Sequence, residues 1–163
     1  MSTGYYDVAQ ICLNGHVVND SVRRFPEFNK KFCEKCGART IVECPNCRAS
    51  IQGYYHVPGV IGVGSQEPAP AFCYECGNPY PWTETQIQAA KELALELEDL
   101  GLDDRKMLAK SIDDIVKDSP RTTLGATRFK KIMAKVGKEG AAAFKEILIG
   151  VVSEGAKKMI WGK

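Results

Sequence analysis

Seven cysteines punctuate a 163-residue chain, one single and six in C-x-x-C pairs: Cys12, Cys33-Glu-Lys-Cys36, Cys44-Pro-Asn-Cys47 and Cys73-Tyr-Glu-Cys76. A C-x-x-C turn sets two thiolates on one edge of a tetrahedron, and a glycine after the second Cys supplies the positive φ that closes the turn. Gly37 and Gly77 stand at that place, whereas Arg48 follows Cys47, so the Cys44 knuckle is expected to be the least regular. Cys12 begins Cys12-Leu-Asn-Gly-His16, where Asn14-Gly15 is a turn dipeptide that can carry His16 round to the same ion. With His16 the candidate ligands number eight, enough for two four-coordinate sites. A shell closed by four protein ligands leaves no position for a catalytic water, so the pattern points to two structural Zn2+ ions.

Spacing leaves the partition of the eight ligands open. The preferred reading is sequential, with Cys12, His16, Cys33 and Cys36 around one ion and Cys44, Cys47, Cys73 and Cys76 around the other. Each set would form a two-knuckle ribbon with a β-hairpin between. Val17-Val18 with Ser21-Val22, and the run Ile51 to Val57, have the composition of short strands bounded by Gly and Pro. An interleaved cross-brace, with Cys12 and His16 joining Cys44 and Cys47, is the alternative. Iron–sulfur chemistry also uses C-x-x-C, but the histidine and the knuckle glycines favour zinc. A redox C-x-x-C would open a helix behind a strand of a βαβ unit, a pattern not found in this sequence. His56, a ninth candidate ligand, sits in an aromatic strand and reads as structural or solvent-facing.

Composition bounds the class. At 44% hydrophobic and 26% charged residues the chain resembles an ordinary globular protein. An odd cysteine count does not fit a fully paired disulfide scaffold. Met1 to Gln10 lacks the charged start and apolar stretch of a secretory signal. The longest aliphatic run, Ile147 to Val152, falls far short of the ~20 residues that span a bilayer. The expectation is a cytoplasmic protein whose thiols stay reduced.

These ligands fix the organisation. All lie before residue 77, so residues 1–82 read as a tandem zinc-ribbon domain and 83–163 as a helical domain of about four helices, an α+β protein overall. About 80 residues split between two ribbons bury too little apolar surface to hold themselves, which makes metal binding part of folding. In the second half Thr83-Glu-Thr-Gln86 reads as a capping box before a helix with Ile87, Ala90, Ala94 and Leu97 on one face, running to about Leu100-Gly101. Asp103 is expected to cap the second helix, with Leu102 and Met107 as a hydrophobic staple and Leu108, Ile112 and Ile115 as its stripe. Ser119-Pro120 is expected to start the third, running to about Val136-Gly137, and a single last helix to run from Ala141 to about Trp161.

The run Phe72-Cys-Tyr-Glu-Cys-Gly-Asn-Pro-Tyr-Pro-Trp-Thr83, preceded by the Cys-x-Asn-Gly-His and Cys-Gly knuckles, resembles a family of uncharacterised bacterial proteins with N-terminal paired zinc ribbons. The resemblance covers roughly residues 5–90. It implies the ribbon fold, the eight ligands and a bacterial cytosolic setting, and carries no activity.

Three surfaces are candidates for function. Tyr54, Tyr55 and His56 precede a Gly/Pro-rich stretch, Pro58 to Ser65, and could stack on bases, hold a peptide or cover the small core. Charge is segregated: 84–118 carries 10 acidic and 5 basic residues, whereas 119–163 carries 10 basic and 3 acidic. On the third helix Arg128, Lys131, Lys135 and Lys138 face away from Phe129, Ile132, Met133 and Val136, a stripe suited to phosphates or to the acidic helices. The last helix is broadly apolar, suited to its own core, to self-association or to a partner protein. Lys157, Lys158 and Lys163 beside Trp161 are a weaker candidate for an anionic membrane. No Ser-His-Asp set, phosphate loop or paired carboxylates stand out, so the expectation is a non-enzymatic binding or adaptor protein acting through protein–protein contact, without a small-molecule substrate. The alternative is a nucleic-acid-binding regulator using the basic third helix. An enzyme with a labile zinc would need a three-ligand site, which eight matched ligands disfavour.

Overall fold

The computed structural model describes residues 3–62, 64 and 66–162. These form five short strands, then five helices, and divide into two compact units, one ending at Thr83 and the other beginning at Glu84. Val63, Ser65 and Lys163, part of the candidate surfaces above, lie outside the described residues.

In the first unit β2 (Gln10–Cys12) turns back at Asn14-Gly15 into β3 (Val17–Asn19) and pairs on its other side with β4 (Thr40–Ile41), giving the order β3-β2-β4. Both pairings are antiparallel. The second ribbon departs from expectation, because the strand between its knuckles makes no hairpin there. Instead β5 (Gln52–His56) pairs antiparallel with β1 (Tyr5–Val8), with Tyr6 opposite Tyr55. Gly53 permits this path: a Cβ there would collide with the Asp20 carbonyl, which accepts the Tyr54 N–H at 2.8 Å. Ser21-Val22, expected as strand, is irregular, and the Val22 N–H donates to the Val8 carbonyl.

The core of this unit is small. Ile11, Ile51, Tyr80 and Trp82 are buried together with Cys44 and Cys73. Tyr80 and Trp82 stack at 4.7 Å, Trp82 Nε1 donates to the Pro70 carbonyl at 2.9 Å, and the Trp82 side chain lies 3.0 Å from where a Cβ on Gly15 would be. The Pro-Tyr-Pro-Trp run therefore closes the ribbon core. Zinc chemistry does not require that run, but a unit this short needs every large side chain.

In the second unit, α1 (Pro81–Glu96) carries over from the first. It starts two residues before the expected cap, with Pro81 in the first helical position, where its missing N–H costs nothing. Thr83 is buried and caps nothing. The expected stripe holds: Ala90 and Ala94 are buried, with Ile87 and Leu97 packed beside them. α2 (Leu102–Ile115) buries Leu108, Ile112 and Ile115, but Gly101 is its N-cap residue and Asp103 caps nothing. Leu102 and Met107 are 63% and 40% exposed, so no staple forms. Asp103 and Asp104 act instead on the helix dipole from the first turn.

α3 (Thr122–Met133) begins after Ser119-Pro120, because the Thr122 hydroxyl accepts the Ser119 N–H at 2.8 Å and donates to the Lys117 carbonyl at 2.7 Å, tying that segment into a turn. Phe129 and Ile132 are buried, and Phe129 meets Phe144 edge-on at 6.0 Å. The single last helix is corrected to two, α4 (Lys138–Leu148) and α5 (Glu154–Trp161). Val151 and Val152 are buried in the break, the Ser153 N–H donates to the Ile115 carbonyl at 3.0 Å, and the Ser153 hydroxyl accepts the Ala156 N–H at 3.3 Å. A continuous helix would carry Val151 and Val152 on around the axis and sacrifice that cap. Most of the expected apolar face is thereby buried within the unit, and Ile149 and Met159 remain 43% and 37% exposed. No helix among the described residues is long and apolar enough to cross a membrane.

Ser153→Ala removes the side-chain cap of α5 and should destabilise the helical unit by about 1 kcal/mol, read as the shift of its urea unfolding transition followed by helical circular dichroism. An unchanged transition would mean that the break does not depend on the cap.

Candidate functional site

The eight candidate ligands lie in two groups. Cys12, His16, Cys33 and Cys36 form one and Cys44, Cys47, Cys73 and Cys76 the other, with the ligand atoms of each group within 4.8 Å of one another. Cys12 and His16 stand with Cys33 and Cys36, not across from Cys44 and Cys47. The spacings test whether an ion fits. A tetrahedron with bonds of about 2.3 Å to sulfur and 2.0–2.1 Å to nitrogen has edges of about 3.8 Å between sulfurs and about 3.5 Å from sulfur to nitrogen. Sγ of Cys12 and Cys36 are 3.7 Å apart, Cys44 and Cys76 3.8 Å, Cys47 and Cys73 3.6 Å. His16 Nδ1 lies 3.5 Å from Cys12 Sγ and 3.6 Å from Cys33 Sγ. Both groups thus have the size of a tetrahedral shell around one metal ion.

Local backbone geometry produces these edges. In each C-x-x-C knuckle the first Cys N–H donates to the carbonyl five residues on (Ala38, Ala49, Asn78), and the residue after the second Cys donates back to the first Cys carbonyl. That residue is left-handed in all three: φ is 71° at Gly37, 72° at Gly77 and 64° at Arg48. The Cys44 knuckle is therefore as regular as the others, contrary to expectation, since a side chain at this position strains the backbone without changing its path. The Cys12 turn differs. There Gly15 has φ 86°, and the His16 N–H donates to Cys12 Sγ at 3.3 Å.

Donors to sulfur complete the shell. The Asn14 amide reaches Cys36 Sγ at 3.3 Å, and the Asn78 amide reaches Cys76 Sγ at 3.5 Å. The Ala38 N–H, and after it the Asn14 amide, hold the Cys36 thiol down at about 6. The Cys76 backbone N–H does the same most strongly for Cys73, also about 6. A thiol must lose its proton to bind metal, so these donors favour the binding form at Cys36 and Cys73. Burial pushes the Cys12 thiol up, and, against the Ala49 N–H, burial and the neighbouring thiols push Cys47 up to about 12, which a metal ion would have to overcome. Tyr80, against the second group, has its phenol pushed up by burial.

His56 belongs to neither group, and its surroundings were not legible in the sequence. It is buried, with Arg24 Nη1 3.0 Å from Nδ1 and with Ser21 Oγ at 3.4 Å and Asp7 Oδ2 at 3.7 Å from Nε2. A guanidinium only donates, so Nδ1 accepts and the ring proton sits on Nε2. Asp7 is itself buried and accepts the N–H groups of Val8, Arg23 and Arg24. A nucleophilic triad needs an unprotonated ring nitrogen toward the serine and the carboxylate on the other nitrogen. Here both face the same nitrogen, so the cluster orients Arg24 without activating Ser21. The residues missed, Asp7, Ser21 and Arg24, lie 32 to 49 positions before His56, in segments that carry no motif.

A cavity of about 400 Å³ opens above this cluster, lined by Arg24, Asp20, Tyr54, Tyr55, Val60 and Ile61 among others. Tyr54 is half-buried and rests its ring on His56 at 4.8 Å, and Tyr55 is 47% exposed. Tyr5 and Tyr6 are similarly exposed, with Tyr6 and Tyr55 in contact at 4.8 Å. In the other unit, Arg128, Lys131 and Lys135 line a shallow groove with Asp104 and Met107. Lys135 is bound to Asp104 at 2.6 Å, Arg128 is half-buried, and Lys138 belongs to α4, so the stripe of four does not form one free basic face.

The chain belongs to a bacterial family described as uncharacterised proteins conserved in bacteria (DUF2321), whose model matches residues 5–160. The match runs through the helical unit, well past the 5–90 of the ribbon resemblance. No match is found among curated proteins or among solved structures.

Arg48→Gly should stabilise the ribbon unit by about 0.5–1 kcal/mol, because relief of the left-handed side-chain strain exceeds the added backbone entropy of glycine. Thermal unfolding of the metal-loaded protein measures this. A lower midpoint would mean that the Arg48 side chain makes a compensating interaction.

Proposed function

We propose that this member of the family is a non-enzymatic binding protein: two structural zinc ions hold a ribbon unit that engages a partner protein, and the helical unit is fused to it. The observation that carries this reading is the completeness of both four-ligand groups, which leaves neither ion a free coordination position. Zinc is favoured over an iron–sulfur cluster by the imidazole ligand in the first group and by sulfur–sulfur spacings of 3.6–3.8 Å, which suit four ligands around a single ion. A cytoplasmic setting accords with seven thiols, none paired as a disulfide.

The protein–protein surface is assigned to the exposed aromatics of β1 and β5. Tyr5, Tyr6 and Tyr55 present large amphipathic rings on a rigid two-stranded sheet, the residue type most enriched where proteins meet. Self-association through the last helices is less favoured, since most of their apolar side chains serve their own core. The second reading, nucleic-acid binding through α3, rests on Lys131 and the overall basic charge of 119–163. It is weakened by the Lys135–Asp104 ion pair and by the acidic group in the same groove.

Affinity capture from the native bacterium with the wild-type chain and with a Tyr5→Ser, Tyr6→Ser, Tyr55→Ser variant tests the assignment. One or a few proteins retained by the wild type and lost by the folded variant are expected. Retention of nucleic acid that falls steeply between 50 and 200 mM salt would replace it with the second reading.

A further inference from the structure

The cavity above His56 holds two opposite charges that do not meet. Asp20 and Arg24 both line it, and among the described residues neither has an ion-pair partner. Each is nevertheless fixed. The Ser21 hydroxyl donates to Asp20 Oδ1 at 3.1 Å, and Arg24 donates to His56 Nδ1 at 3.0 Å while lying 5.6 Å from the Phe25 ring centre. The buried Asp7 carboxylate does not neutralise the Arg24 guanidinium, because its oxygens are engaged by three backbone N–H groups and lie on the far side of the imidazole. Beside these charges and the Ser21 and His56 side chains, one wall of the cavity is aromatic and aliphatic: Phe25, Tyr54, Val57, Val60 and Ile61. Val60 and Ile61 are 65% and 93% exposed, so the wall they form is open to water. Gly62 lets the Tyr54 hydroxyl approach the backbone of that wall, since a Cβ there would collide with it.

We infer that this cavity binds a free α-amino acid with an apolar side chain, the carboxylate on Arg24, the ammonium on Asp20 and the side chain against Tyr54 and Ile61. An unpaired acid and an unpaired base in one cavity, beside an aromatic and aliphatic wall, call for a ligand carrying both charged groups on one carbon, together with an apolar body that covers the exposed wall. The end of a peptide offers only one of the two charges. The volume, about 400 Å³, lies within the usual range for small-ligand sites of roughly 300–1,000 Å³. An arginine held by an accepting imidazole and an aromatic ring loses little freedom on binding a carboxylate, and this pre-orientation favours affinity. The cavity shares Tyr55 with the partner surface proposed above, but the contacts assigned to the ligand, Arg24, Asp20, Tyr54 and Ile61, lie outside that surface, so the inference stands if that surface fails.

The test is nuclear magnetic resonance of the full-length, metal-loaded protein titrated with phenylalanine, with 3-phenylpropionate and with 2-phenylethylamine. Saturable shifts at Tyr54, Tyr55 and His56 are expected for phenylalanine with a dissociation constant below about 1 mM. The two analogues, each lacking one charge, should bind at least about tenfold more weakly, the usual penalty for leaving a charge-assisted hydrogen bond unmade. Arg24→Gln and Asp20→Asn should each weaken phenylalanine by about the same factor. Ile61→Asp guards against misfolding: the side chain is almost wholly exposed, so the fold is retained while the apolar wall is lost and binding falls. Absence of saturable shifts, an analogue that binds as well as phenylalanine, or a folded Ile61→Asp that binds unchanged would each overturn the inference.

Discussion

Four ligand atoms held within 4.8 Å of one another are the constraint on which the ribbon unit depends. The sulfurs among them, as thiolates, repel, each close pair by about 4 kcal/mol at an effective dielectric of about 20. As thiols they are small side chains spread around a gap. Only a cation at the centre makes the arrangement favourable, and the sulfur–sulfur distances of 3.6–3.8 Å are those such a cation would impose. The apolar alternative is slight: Ile11, Ile51, Tyr80 and Trp82 are the main large side chains buried around these groups. A structural zinc contributes about 10–16 kcal/mol of folding free energy, at least comparable with the roughly 6–12 kcal/mol that burial of these four side chains supplies.

A metal ion in each group would also explain what the surface is free to do. Because the groups fix the knuckles, the strands between them need not bury both faces, and Tyr5, Tyr6 and Tyr55 can remain half in water. For the same reason a cavity with unpaired charges at its wall can persist beside a buried His56–Asp7 contact without unravelling the unit. The helical unit is built differently. Its fifteen-residue core, from Ala90 to Ala156, is the ordinary interlocking of amphipathic stripes, and it asks nothing of a ligand.

The two candidate ligand groups were legible because metal chemistry demands particular residue types at short fixed spacings, and the α+β class followed from where they stop. The helix stripes were legible because Ala90, Ala94, Leu108, Ile112 and Phe129 repeat at helical spacing. What was not legible depended on contacts remote in sequence or on competing local bonds. β5 pairs with β1 across more than 40 residues, and a stretch of alternating residues does not name its partner. Arg48 adopts a left-handed backbone because the knuckle's hydrogen bonds outweigh its preference. Caps were misplaced: Thr83 and Asp103 cap nothing, and the side-chain cap at Ser153 belongs to a helix start that the apolar run from Ala141 to Trp161 concealed. The Asp7–Ser21–Arg24–His56 cluster lies on three separate segments and leaves no pattern in any of them.

The central claim is that the two groups are zinc sites that hold the ribbon unit folded, and metal analysis of the purified protein combined with chelation tests it most directly. The account predicts two zinc ions per chain, with loss of dispersed amide resonances for residues 5–80 when the metal is removed, while the helical circular dichroism of residues 84–162 persists. Protein that carries no zinc, or that keeps its ribbon resonances dispersed after complete metal removal, would contradict it.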